Sequence, residues 1–392
     1  MRDGDRYRIS RRVRDTHPPI MQTMKSMPRG RDTADLSQGI PFFGPPRGIL
    51  REAMEEAEST GRYGPDAGDT DLRSAISDRV RNRYGYRPDP EKEVMVTPGA
   101  NMAFFEVAAA ICDPGDEIVL FSPYYFNHRM SLDILGLRTR MVPTDENFHP
   151  KVEELREIIN ERTRAVVLVT PNNPTGAVYP RSTIREIAEI CKDSGIYLIT
   201  DETYEDFVYR GNHFSGCELM GDLPGVISLF SLSKAYGISG WRIGYSVFPE
   251  HLFDNMLKVQ DTTVICPTRI SQRLAYRLLV AHPGPLVDDI DYLEKSSQMV
   301  NDWLGNHRGI LGSPRTEGAF YSFPAVLKDI GKDSLSIVKK ILSECGVIVV
   351  PGSPFGAEGP PRFRISFGNV KHDKLKESLE RLDGWLEDLN RR

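Results

Sequence analysis

The chain has 392 residues, with 50 Lys plus Arg against 55 Asp plus Glu and a formal net charge of −5. At roughly 100–200 residues per domain, that length accommodates one large domain and one smaller one. The mildly acidic balance argues against a dedicated nucleic-acid binder. No apolar run approaches the ~18 residues a membrane span needs, and no signal-peptide core appears. Cys112, Cys191, Cys217, Cys266 and Cys345 are scattered and odd in number, which is cytoplasmic usage rather than a disulfide framework. The histidines show no metal-ligand spacing.

In chain order, the first notable feature is a basic run: Arg2, Arg6, Arg8, Arg11, Arg12 and Arg14. It reads as a solvated arm lying over a partner subunit, with a nucleic-acid arm as the alternative. Leu36-Ser37-Gln38-Gly39-Ile40-Pro41 is a turn in which Gly39 lets the backbone approach a ligand. Arg62-Tyr63-Gly64-Pro65 opens a Gly/Pro-rich turn ahead of a helix starting near Asp69. Val94-Met95-Val96-Thr97-Pro98-Gly99-Ala100-Asn101 reads as strand, small turn and helix, an arrangement that aims free N–H groups at an anion. The helix is expected over Ala100–Ile111. A strand over Glu117–Phe121 leads to Ser122-Pro123-Tyr124-Tyr125-Phe126-Asn127-His128, an aromatic mouth. Further helices are expected over Lys151–Glu161 and Arg181–Ser194, and strands over Ala165–Thr170, Tyr197–Thr200, Val226–Phe230 and Ile243–Phe248. Short apolar strands between amphipathic helices imply a mostly parallel sheet covered on both faces.

The turns after these strands hold the reactive residues. Pro171-Asn172-Asn173-Pro174-Thr175-Gly176 is a rigid turn. Asp201 follows a buried strand at its carboxyl end, where open α/β sheets place ligands; a helix N-cap is its simpler reading. Ser231-Leu232-Ser233-Lys234-Ala235 places an amine among hydroxyls, with Arg242 eight residues on. That grouping suits an amine condensed with an aldehyde and held beside a phosphate. After Pro267 a long helical stretch leads to His282-Pro283-Gly284-Pro285, the expected domain boundary. The remainder reads as α+β and includes Arg362-Phe363-Arg364-Ile365-Ser366, a strand carrying two arginines on one face.

From about Leu36 to Leu382, these segments, in this order and spacing, resemble the class I/II aminotransferases among the fold-type I pyridoxal-phosphate (PLP) enzymes, the aspartate aminotransferase-like superfamily. The resemblance implies an α/β fold: a large domain with a mostly parallel sheet of the seven-stranded type covered by helices, plus a smaller α+β domain. The expected units are an N-terminal arm and part of the small domain over 1–47, a large PLP-binding domain over 48–283, and a small domain over 284–392. It implies that Lys234 bonds the cofactor and then shuttles a proton, that Asp201 pairs with the pyridine nitrogen, and that Tyr204 and Asn173 bond the phenolic oxygen. Gly99, Ala100, Asn101, Ser231, Ser233 and Arg242 would hold the phosphate, joined by Tyr63 of a neighbouring subunit in a homodimer with shared sites. Tyr125 would stack on the ring, and Gly39, Asn173 and Arg364 would meet the substrate. Arg362 competes with Arg364 for the substrate carboxylate, and the Arg-x-Ser-Phe pattern favours Arg364.

The expected activity is a cytoplasmic transaminase that moves an amino group from an L-amino acid to a 2-oxo acid in ping-pong fashion. Other PLP reactions on amino acids, and a PLP-sensing regulator, are the rival readings. Aspartate-specific relatives bring a second arginine from the partner subunit to the distal carboxylate, and it stands shortly before a proline in a segment like Lys258–Pro267. No arginine stands there in this chain, and Asp261 lies near the place. A neutral hydrophobic or aromatic donor is therefore expected.

Overall fold

The computed structural model describes residues 7–28, 30, 32–56, 60–282, 284–285, 287–328 and 331–391. The central sheet has seven strands: β1 (Val94–Thr97), β2 (Glu117–Ser122), β3 (Arg138–Pro143), β4 (Thr163–Val169), β5 (Tyr197–Asp201), β6 (Val226–Ser231) and β7 (Gly244–Val247). Their spatial order is β1-β7-β6-β5-β4-β2-β3. All neighbours run parallel except β7, which is antiparallel to both β1 and β6.

The inner strands are mostly apolar because helices cover both faces, so side chains of either parity are buried along most of their length. The edge strand β3 differs. It is mostly exposed and carries Arg138 and Arg140, charges that discourage a further strand from pairing there. Strands β5 and β6 each run one residue beyond the expected ends. This makes Asp201 and Ser231 the last residues of adjacent strands, at the carboxyl edge. The helix expected over Lys151–Glu161 spans only Val152–Ile158. Asn160 ends it early: its amide group bonds Glu117 and the Ile158 carbonyl and accepts from the Arg162 N–H, a local turn that competes with the helix.

A second, smaller sheet pairs Tyr321–Ser322 and Val350–Pro351 antiparallel to the two sides of Phe363–Ser366. The N-terminal segment joins this region, since Ala34–Asp35 pairs parallel with Val347–Ile348. The C-terminal helix His372–Arg391 buries Leu375, Leu379, Leu382, Trp385, Leu386 and Leu389 against the same core. Its apolar positions recur at three- and four-residue spacing, one stripe of an amphipathic helix. In the N-terminal run, Arg2 and Arg6 lie outside the described residues. Arg12 reaches the Leu135 carbonyl of its own chain, 3.3 Å away, and Arg14 pairs with Asp15. Of the expected boundary run His282-Pro283-Gly284-Pro285, Pro283 lies outside the described residues. The helices Arg269–Ala281 and Val287–Asn306 flank it.

Candidate active site

The carboxyl ends of β4, β5 and β6 open onto one cavity. Its lining includes Gly39, Ala100, Asn101, Tyr125, Asn173, Asp201, Tyr204, Ser231, Ser233, Lys234, Arg242 and Arg364. These residues come from segments up to about three hundred positions apart, and a crevice at strand ends is where an open α/β sheet gathers loops.

One end of the cavity is built for an anion. Gly99, with φ 86°, caps the helix Ala100–Ile111, whose first backbone bond runs from Met102 to the Gly99 carbonyl. The Ala100 and Asn101 N–H groups therefore precede the ladder. Arg242 sits over this turn, donating 2.9 Å to the Ser239 carbonyl and 3.2 Å to that of Pro98. The positive φ favours glycine there, and a Cβ on Gly99 would stand 2.6 Å from the Arg242 guanidinium, which would have to shift. Ser231 accepts from the Ser233 N–H, while the buried Ser233 Oγ has no protein partner among the described residues. A guanidinium, two hydroxyls and a helix start with free donors fit a phosphate.

Lys234 lies beside this cradle and donates 2.6 Å to the Gly39 carbonyl. Burial lowers its pKa to about 8, assisted by the positive charges of Arg242 and Arg364 and opposed by Asp201. Asp201 ends β5, buried, with His128 Nε2 at 3.0 Å and the Thr203 N–H at 3.1 Å. Burial alone would raise its carboxyl. The His128 bond and charge and the Thr203 bonds outweigh it and hold the pKa below the ordinary value. His128 is itself held against the Phe104 ring, with centroids 4.0 Å apart.

The two asparagines of the turn have different fates. Asn172 is spent on the turn itself, bonding the Tyr179 hydroxyl and accepting from Thr175. Asn173 faces the cavity, and its oxygen accepts 2.8 Å from Arg364 Nη1. That leaves the Asn173 amide N–H groups as donors into the cavity. Arg364 also donates 2.6 Å to the Ser37 carbonyl, and its guanidinium lies over the Tyr321 ring at 4.5 Å. Arg362 goes elsewhere. It bonds the Phe323 carbonyl, stacks on Phe148 and lines a separate cleft with Asp145. Of the two arginines, the fold turns only Arg364 to this cavity.

Tyr63, expected at the site of a neighbouring subunit, is 78 % exposed and does not line the cavity of its own chain. Within the aromatic mouth, Tyr125 and Phe126 line the cavity, but Tyr124 packs on Gly356, Asn127 bonds the Tyr125 hydroxyl, and His128 turns beneath Asp201. Asp261 is exposed on the helix Phe253–Val264, away from this cavity. Met21, Thr203 and Tyr321 also line the cavity. Thr203 lies between Asp201 and Tyr204, but neither Met21 nor Tyr321 carries a local sequence signal. Both arrive from segments that only the tertiary fold brings near.

A crevice at the carboxyl edge of a mostly parallel sheet, with a phosphate cradle beside a buried amine and an ionised carboxylate, defines a fold-type I PLP enzyme. Residues 31–382 match the family model described as aminotransferase class I and II, and the chain belongs to that family. The aromatic aminotransferase ISS1 of Arabidopsis thaliana is 33% identical over 97% of both chains. The aspartate aminotransferase of Pyrococcus abyssi is 32% identical over 91% of this chain and 92% of its own length. Among solved structures, the Thermotoga maritima aspartate aminotransferase superposes with a TM-score of 0.87 at 28% identity, covering 97% of this chain and 100% of that one. The aromatic aminotransferase of Pyrococcus horikoshii does so with a TM-score of 0.84 at 30% identity, covering 95% and 100%. The protein is a PLP-dependent aminotransferase. Among the described residues, no helix is long and apolar enough to cross a membrane.

Proposed function

We propose that this aminotransferase takes a neutral hydrophobic or aromatic L-amino acid as donor, with Lys234 as the residue that bonds the cofactor and moves the substrate's proton. The observation that carries the assignment of roles is the convergence of Lys234, Asp201 and Arg364 on a single cavity with an anion cradle at one end. PLP, when bound, supplies an aldehyde that condenses with amines and a ring that withdraws electrons from the bond to be broken.

The chain's own residues do the rest. Lys234, with a pKa near 8, is neutral in a useful fraction of molecules near neutral pH, so it can take a proton from the substrate Cα and return it. Asp201 stays ionised and keeps a ring nitrogen before it protonated. Arg364 forks onto the substrate carboxylate and so fixes the Cα–H direction. In doing so it exchanges its bonds to Asn173 and the Ser37 carbonyl for bonds to the substrate. Asn173 and Tyr204 would donate to the phenolic oxygen, Tyr125 would pack on the ring, and Gly99, Ala100, Asn101, Ser231, Ser233 and Arg242 would hold the phosphate. Gly39 closes over the substrate. Tyr63, exposed and next to the helix that starts at Thr70, completes the phosphate site of a partner subunit in a homodimer.

Substrate choice rests on the lining. Met21, Tyr125, Phe126 and Tyr321 are apolar or aromatic, and the cations among the described lining residues are Lys234, Arg242 and Arg364. Each of these three already has a role, so within this chain's own lining a second substrate carboxylate would find no partner, which is costly in a closed site. The five free cysteines suit a reducing, cytoplasmic setting. We assign the large unit to 48–283 and the small one to 284–392 together with 1–47, consistent with the pairing of Ala34–Asp35 to Val347–Ile348.

The test is direct. Borohydride reduction of the holoenzyme should fix the label on Lys234, and a label on another lysine would refute the assignment. In a donor panel with 2-oxoglutarate, aromatic or methionine-like donors should exceed aspartate in kcat/KM. Aspartate preferred by tenfold would overturn the substrate reading alone.

A further inference from the structure

Tyr321 stands at a junction. Its hydroxyl lies 2.6 Å from that of Tyr204. Its ring lies under the Arg364 guanidinium, 4.5 Å from centroid to Cζ. Its hydroxyl also fills the space above Gly39, where any Cβ would collide with it. Gly39 in turn accepts from Lys234. One side chain thus touches the tyrosine placed at the phenolic oxygen, the arginine placed at the substrate carboxylate, and the turn that holds the lysine.

We propose that Tyr321 is a positioning residue of the transamination site, acting through two separable parts: its hydroxyl donates to Tyr204 and strengthens Tyr204 as a donor to the cofactor's phenolic oxygen, and its ring seats Arg364 for the substrate carboxylate. The inference rests on the roles given above to Tyr204 and Arg364. Two facing hydroxyls share one hydrogen bond and leave one proton unspent. An oxyanion placed before Tyr204 selects the arrangement in which Tyr321 donates and the Tyr204 proton points at that oxyanion. A hydroxyl that accepts one bond becomes a better donor in the next, so the chain stabilises charge on the far oxygen. Both tyrosines are buried, and burial raises the pKa of each, Tyr321 to about 12, so both protons are present near neutral pH. The other titratable groups that act on the pair are Tyr125 and Arg364. Neither separates the two hydroxyls, which are in direct contact.

The ring has a different duty. Arg364 Nε is buried with no partner among the described residues, so the guanidinium is held by its bonds to Asn173 and the Ser37 carbonyl, a longer one to Met21 Sδ at 3.9 Å, and the faces of Tyr321 and Phe355. An aromatic face below a guanidinium attracts it without competing for its donors. The fork therefore remains free to exchange its two bonds for a carboxylate.

The experiment is a pH titration of the absorbance of the bound cofactor in the holoenzyme, with steady-state kinetics alongside. Tyr321→Phe keeps the ring and removes the hydroxyl. Its titration midpoint should rise by about 0.4–1 pH unit, the span of one neutral hydrogen bond. Its kcat should fall, with KM within twofold of the parent. Tyr204→Phe should shift the midpoint at least as far, and the double variant should match Tyr204→Phe, because Tyr321 acts through Tyr204. Tyr321→Leu removes the ring as well and should raise KM for every donor tenfold or more. A Tyr321→Phe midpoint coinciding with the parent's, or shifts that add in the double variant, would overturn the relay. An unchanged KM in Tyr321→Leu would overturn the seat. If Tyr204→Phe itself leaves the midpoint unmoved, the role given to Tyr204 fails first, and the relay falls with it.

Discussion

At the scale of the residue, the site works by setting ionisation states with immediate neighbours. Asp201 is buried, which alone would raise its pKa, yet His128 and Thr203 hold it below the ordinary carboxylate value. Asp201→Asn keeps the shape and removes the charge. We expect the half-reaction with an amino donor to slow by ~100-fold or more, at ~1.4 kcal/mol per decade. Stopped-flow absorbance would measure it, and a loss under threefold would mean that Asp201 serves only to cap the Thr203 turn. Lys234 gives a stability prediction. Its pKa falls from 10.5 to about 8 on folding without cofactor. Below about 8 both states carry the proton, and the fold bears the full cost of a buried charge. Between about 8 and 10.5 the unfolded chain binds more protons, so this contribution to stability rises with pH. Cofactor-free Lys234→Met should therefore be more stable than the parent below pH 8, with an advantage that shrinks above it. Urea midpoints across that range would check the sign.

At the scale of the element, the phosphate cradle depends on how a strand hands over to a helix. β1 ends at Thr97, Gly99 turns the chain with φ 86°, and the helix begins at Ala100. Gly99→Ala would meet two penalties, a positive φ and a Cβ 2.6 Å from Arg242. Backbone strain of this kind costs of order 1–3 kcal/mol. Since Arg242 must also move, PLP affinity should fall tenfold or more, as read by spectral titration of the cofactor-free protein. A variant with parental affinity would show that Arg242 can leave the turn without loss. The final strand of the small sheet shows the same dependence on element geometry. Arg362 and Arg364 have the same parity, yet Arg362 stands just before the strand Phe363–Ser366, bridged to Ala325, and stacks on Phe148 instead. Alternation along the chain cannot make that distinction, because two residues of one parity carry the same signal.

At the scale of the molecule, one chain gathers nearly everything that the cavity needs, and Tyr63 is the exception. Its side chain is 78 % exposed, and the homodimer proposed above would account for that exposure. If the site is shared, subunits defective at Tyr63 and at Arg364 should complement. Mixed after dissociation, Tyr63→Ala and Arg364→Ala chains form heterodimers with one intact site each. At equal mixing and random pairing about half the dimers are hybrid, so activity should recover to roughly a quarter of the parent. No recovery in hybrids confirmed by native mass spectrometry would place Tyr63 outside the catalytic site.

Much of this was legible in the chain itself. A lysine among hydroxyls, an acid after an apolar strand and a glycine before an apolar helix are local patterns, because each must be built by consecutive residues at one strand end. The fold class follows from the same alternation of apolar strands and amphipathic helices. Other features needed the tertiary structure. His128 sits in an aromatic run that reads as a substrate mouth, but the helix Phe126–Leu135 turns it beneath Asp201. Asn172 and Asn173 are identical neighbours, and only the turn geometry gives one to the backbone and the other to the cavity. Met21 and Tyr321 lie far from the lysine in sequence and meet it only when the N-terminal segment and the small sheet close over the strand ends. Local sequence determines the chemistry that each strand end offers, because it sets the backbone path there. Which side chains arrive from elsewhere to tune that chemistry is decided by packing between distant segments, which no local pattern records.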